Sequence, residues 1–223
     1  ASLTAAASWS IGRLLFTRLR LELRRLEYEL LAGIAGAALL SLLIFFLCAA
    51  RLAYVPVFWA IRFVALGLNW KFAAPPAEEA RVGLPAKQRW IFSVPIALFT
   101  LLYLSNSLAP EHSPDGQAYH LGNVYRFFRQ HGFERITTNM YASLSQGMEM
   151  LYLFAFSLGR HAAAATFHCC FLLALPLLMF AYGRRLGKPS MGACAGLFFF
   201  FSPLAAVDGV SAYNDIALAA CGF

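Results

Sequence analysis

Apolar residues in this chain do not alternate with polar ones; they run together in long blocks. Leu30 to Ala50, Trp90 to Pro110, Ala162 to Gly183 and Pro189 to Val207 contain no Asp, Glu, Lys or Arg. Each is close to the ~20 residues that carry a helix across a bilayer. Such segments must be helical, because a lone strand leaves its backbone polar groups unpaired in lipid. A weaker run, Val57 to Trp70, predicts a further span in spite of Arg62. The pattern therefore predicts an all-α fold, a polytopic transmembrane helix bundle. Two stretches read differently. Ile11 to Glu29 interleaves Arg13, Arg18, Arg20, Arg24 and Arg25 with leucines, which predicts a basic amphipathic helix on the cytoplasmic leaflet. Gln146 to Leu158 is apolar but short, and it carries Glu149.

Charge sets the orientation. With the basic segment 1–29 inside, the first span runs outward, helped by small residues at Gly33, Gly36 and Ala37 that favour close helix packing. The second returns, and the loop Lys71 to Arg89, with Pro75-Pro76, lies inside. The third span then puts Pro110 to Arg135 on the external face. If Gln146 to Leu158 crossed, Arg184, Arg185 and Lys188 would fall outside, against the positive-inside rule. It therefore reads as a helix that lies at the external interface or dips in as a juxtamembrane helix, so that 162–183 runs inward and 189–207 outward. The organisation is thus 1–29, a two-span extension 30–89, and a core 90–223 with external loops 109–161 and 208–215. Ile216 to Phe223 reads as the start of another helix, and the chain as a fragment open at its C-terminus.

Composition agrees: 60% of residues are hydrophobic and 13% charged, about half the charge of a soluble domain. The net charge of +7 is explained by basic residues flanking apolar blocks, which meet lipid headgroups; no nucleic-acid partner is expected. Cys48, Cys169, Cys170, Cys194 and Cys221 all sit within apolar runs without paired CxxC spacing, and read as small buried hydrophobes. No cleavable signal peptide is evident, because the first long apolar run starts near Leu30.

Candidate chemistry concentrates in the external segment PEHSPDGQAYHLGNVYRFFRQHGFER, 110–135. Ser113-Pro114-Asp115 reads as a helix start: serine caps, proline suits the first position, and aspartate favours the helix N-terminus. Asp115, Tyr119 and Arg126 then share one face, with His120 beside them and His131-Gly132 as the stop. Glu149 and Asp215 fall on the same side of the membrane. A carboxylate can accept a proton from an acceptor hydroxyl, and arginine or histidine can hold phosphate.

The sequences SPDGQAYHL, SLSQGMEMLY, HAAAATFHCCFLLALPLLMFAYGRRLGK and SAYNDIALA occur in an order that resembles the GT-C superfamily of membrane glycosyltransferases. That group includes protein O-mannosyltransferases and the aminoarabinose transferase of lipid A. The resemblance covers roughly 90–223. It implies transfer of a sugar from a polyprenyl-phosphate donor to an external acceptor that is a glycan, lipid or protein. It also implies Asp115 as catalytic base, with His120 and Glu149 toward donor or substrate; Tyr119 and Arg126 join that donor or substrate set from the helix face itself. Asp215 is associated with donor phosphate or a divalent metal (Mg, Mn or Zn). Asp115 is followed by Gly116, so the Asp-Glu pair of the protein mannosyltransferases is absent. The expected location is a bacterial inner membrane. Two other readings remain open: a transporter or flippase half using Arg62, Pro95 and Pro176, and a non-catalytic envelope scaffold. His168 reads as a packed membrane histidine.

Overall fold

The structure, a computed structural model, describes residues 1–73 and 83–223. The Pro75-Pro76 part of the expected cytoplasmic loop lies outside the described residues. The fold is all-α, with no strand among the described residues. Its helices are α1 (Ser2–Leu19), α2 (Arg25–Ala49), α3 (Val55–Phe72), α4 (Ala86–Ser107), α5 (Leu121–Gln130), α6 (Gly147–Arg185), α7 (Pro189–Phe200), α8 (Pro203–Val210) and α9 (Asp215–Gly222). A π-helical turn, Gly116–His120, leads into α5, and a 3-10 turn, Met140–Ser143, precedes α6.

Helices α2, α4 and α6 are long and apolar enough to cross a membrane, and α7 with α8 makes a fourth candidate bent by 69°. This is the build of a polytopic membrane protein. The expected straight span 189–207 is interrupted at Phe201-Ser202 because Pro203 cannot donate into the preceding turn. Helix α3 is not among the three: its 18 residues include Arg62, Asn69 and Lys71.

The basic N-terminal stretch is not one helix lying apart. Arg20 turns left-handed (φ 53°), α1 stops there, and α2 starts at Arg25. The two helices form an antiparallel hairpin. Its crossing is set by two glycines: a Cβ on Gly12 would lie 1.8 Å from the Ala32 carbonyl oxygen, and one on Gly36 would lie 1.7 Å from that of Ser8. Phe16 meets Tyr28 edge-on in the same register, at 5.5 Å. Gly33, expected to serve this packing, faces open space.

The 39-residue run of α6 contains a break at Gly159-Arg160, where Arg160 takes φ 55°, ψ −141°. The part before it is the segment expected at the membrane interface. It is enclosed by protein: Met150, Tyr152, Leu153, Phe154 and Ala155 are fully buried. Its partners explain this. Ser41 of α2 donates to the Gly147 carbonyl oxygen at 2.6 Å, Phe58 of α3 packs on Phe154, and Phe128 of α5 packs on Phe156. Arg62 is consumed in the same packing: its Nη2 donates to the Phe154 carbonyl oxygen and to Ser157 Oγ. Arg62 Nε and Nη1 are buried there without a hydrogen-bond partner, so the guanidinium is only partly satisfied.

The bundle has two chemically distinct ends. At one, Arg24, just before α2, donates to the Arg184 carbonyl oxygen (3.0 Å) and Arg185 pairs with Glu27 (3.6 Å). There Ser190 also bonds Gln88, bringing together the starts of α4 and α7. At the other end, Phe133 and Ala53 join the end of α2 to the loop after α5. Tyr103 of α4 donates to the Phe200 carbonyl oxygen at 2.7 Å. The polar segments 109–146 and 211–214 gather at this second end.

Candidate functional site

The helix start at 113–115 forms as its residue types dictate. Ser113 Oγ accepts from the Gly116 amide at 3.2 Å, and helical geometry begins at Pro114. The continuation differs. A π turn inserts a residue into the helical register, so the single face expected for Asp115, Tyr119 and Arg126 is not kept. Asp115, exposed at the head of the turn, has its carboxylate within reach of the Tyr119 hydroxyl. Burial first, then the Asp115 carboxylate, raises the Tyr119 phenol above its ordinary value, so it stays neutral and donates. Tyr119 stacks on Tyr141 at 4.5 Å. Arg126 lies exposed on α5.

The π turn aims its last residue inward. His120 is buried, with Nδ1 2.6 Å from Oε1 of the equally buried Glu149. An imidazole N–H facing a carboxylate fixes the ring's orientation and tautomer. The structure therefore brings together His120 and Glu149, which are 29 residues apart in sequence, and sets Asp115 and Tyr119 next to them: the Tyr119 and His120 rings lie 4.4 Å apart.

The second loop closes onto this pair. The His120 and Tyr213 rings lie 5.8 Å apart, and the hydroxyl of Tyr152 donates to the Tyr213 carbonyl oxygen. Glu111 Oε2 accepts from the Ala212 amide at 2.8 Å, and its Oε1 from the Ser113 amide at 2.9 Å. Burial pushes the Glu111 carboxyl up, but hydrogen bonds from the Ser113 hydroxyl and the amides of Ala212, Ser113 and His112 outweigh it, so its pKa is lowered. Glu111 is thus an ionised latch between the two loops.

Beneath the second loop, His168 is fully buried; its Nδ1 donates to the Ser211 carbonyl oxygen at 2.8 Å and its Nε2 lies 3.9 Å from Asp208 Oδ2. Asp208 Oδ2 also accepts from the Ile216 amide at 3.1 Å and so caps α9. Asp215, the first residue of α9, is exposed, and its carboxyl group is within hydrogen-bonding reach of Asp208. His168, Asp208, Tyr152 and Glu111 were not picked out as site residues from sequence. Asp208 and Asp215 bracket a loop of seven-residue spacing, which is the one signal that pointed there; the histidine lies inside an apolar run and carries none.

A cleft of about 530 Å³ opens beside the latch, between Glu111, the outer side of the π turn and α5, and His161 at the α6 break. Among the described residues, no three His, Cys, Asp or Glu side chains are placed to enclose a metal ion. Asp215, at the head of α9, has Asp208 as an acidic neighbour. No protein-family model, curated protein or solved structure matches the chain.

Proposed function

We propose that the protein is a GT-C-like membrane glycosyltransferase acting at the polar end of the bundle. It moves a sugar from a polyprenyl-phosphate donor to a hydroxyl of an external acceptor. The membrane is a bacterial inner membrane, with the N-terminus cytoplasmic and the loops 109–161 and 208–215 outside. The observation that carries this reading is the meeting of the two loops: Glu111 grips the Ala212 amide, and His120 with its Glu149 partner lies against Tyr213. Carboxylates and histidines far apart in sequence share one patch next to apolar helices, where a lipid-linked substrate would arrive.

In the transfer, the acceptor oxygen attacks the anomeric carbon and forms the new glycosidic bond. The bond from that carbon to the phosphate oxygen breaks, its electron pair leaves with polyprenyl phosphate, and the hydroxyl proton passes to Asp115. Direct displacement inverts the anomeric centre. Tyr119, within reach of the Asp115 carboxylate, orients it, and His120, held by Glu149, offsets the charge growing on the phosphate. Asp115→Asn keeps the size of the side chain and removes its basicity; transfer from a radiolabelled lipid-linked sugar should fall about 10²-fold or more. A folded Asp115→Asn protein with wild-type transfer would take the base role away from Asp115.

A further inference from the structure

We propose that the cleft beside the latch binds a neutral saccharide, and that the acceptor is therefore the end of a glycan. Its role as acceptor site rests on the transferase reading; the binding itself does not. The cleft, about 530 Å³, has the volume of a small-ligand site. Its walls carry the groups that recognise a sugar. Tyr125 is 44% exposed, with Arg129 stacked over it at 5.9 Å. An aromatic face of negative quadrupole suits the weakly positive axial C–H groups of a pyranose. Gln117 Nε2 is already engaged by the Glu111 carbonyl oxygen at 2.6 Å, which fixes the amide and leaves its oxygen as an acceptor for a hydroxyl. His161 is exposed, and its ring is braced edge-on by Phe156 at 5.3 Å, a second donor or acceptor held in place. Gly122, also on the wall, lets the π turn close tightly: a Cβ there would lie 2.7 Å from the Gln117 carbonyl oxygen.

Charge decides between ligand classes. Glu111 is the one acid among the lining residues and is ionised, which disfavours a phosphate headgroup at its end of the cleft; Arg129, engaged with the Tyr125 ring, is not among the lining residues. Its two oxygens are each held by a backbone amide, so it is also poorly placed to pair with a cation. Uncharged hydroxyls remain the matching chemistry.

The test uses the intact protein in phosphatidylcholine nanodiscs, free of sugar-headed detergents. Saturation-transfer NMR is recorded with cellobiose, chitobiose and maltotriose as probes. At least one should receive saturation, and Tyr125→Ala and Gln117→Ala should each weaken that binding about tenfold, with unchanged thermal unfolding. Tyr125→Trp, which keeps an aromatic face, should retain it. In a transfer assay, Tyr125→Ala should raise the acceptor KM and leave the donor KM unchanged. No transfer to any probe, binding indifferent to Tyr125→Ala, or binding of inorganic phosphate in place of the sugars would overturn the inference. Sugar binding in a protein that never consumes donor would support the cleft while removing the transferase reading. Donor consumption with wild-type acceptor KM in Tyr125→Ala would do the reverse.

Discussion

Glu111 is the residue on which the site's shape depends most. Two backbone amides, from Ser113 and Ala212, point at its carboxylate. Glu111→Gln would turn an NH2 group toward one of those amides, donor against donor. The expected loss is about 1.5–3 kcal/mol, read as lowered thermal stability and faster amide exchange at Ala212. The pH dependence follows in sign. The folded pKa lies below the ordinary 4.5, so this stabilisation is complete above 4.5 and disappears as pH falls through the lower, folded value. Stability curves of wild type and Glu111→Gln should therefore differ at neutral pH and converge in acid. Curves that stay parallel into acid would show that the latch charge contributes nothing. The residue types of this region were legible in the sequence, and so were the serine cap and proline start at 113–114. The π turn was not. It shifts the register after Gly116, so a count by helical spacing kept Tyr119 with Asp115 but misplaced Arg126.

At the scale of elements, apolar block length located α2, α4 and the second part of α6, because span length is a local property. The α1–α2 hairpin was hidden, since it depends on two backbones meeting across the turn at Arg20. Gly36→Leu should force α1 off α2, at a cost of about 1–3 kcal/mol or more, while Gly33→Leu, with nothing within 4 Å, should be close to neutral. Thermal unfolding of the two variants in one lipid mixture checks this; equal losses would contradict the crossing. The segment 147–158 was read from its length and Glu149 as lying at the interface. Its burial comes from aromatic partners on α3 and α5 that no local pattern reveals. Glu149 is tolerated there because His120 Nδ1 meets its Oε1, and a buried polar group is tolerated when hydrogen-bonded.

For the whole molecule, one end joins Arg24, Glu27, Arg184 and Arg185, and the other gathers the loops with Glu111, Asp115, His120 and Tyr213. The proposed orientation predicts that, with the five native cysteines replaced, a cysteine at Glu134 reacts with an impermeant maleimide on intact spheroplasts and one at Leu186 does not. The opposite pattern would invert the topology and put the site on the wrong side for a lipid-linked donor. The most direct measurement is turnover of the donor itself. The intact protein in proteoliposomes is given polyprenyl phosphate carrying a radiolabelled sugar, together with a glycan acceptor. The transferase reading predicts label on the acceptor with matching release of polyprenyl phosphate, and loss of both in Asp115→Asn. Label that stays on the lipid with every acceptor offered, or that moves equally well in Asp115→Asn, would contradict it.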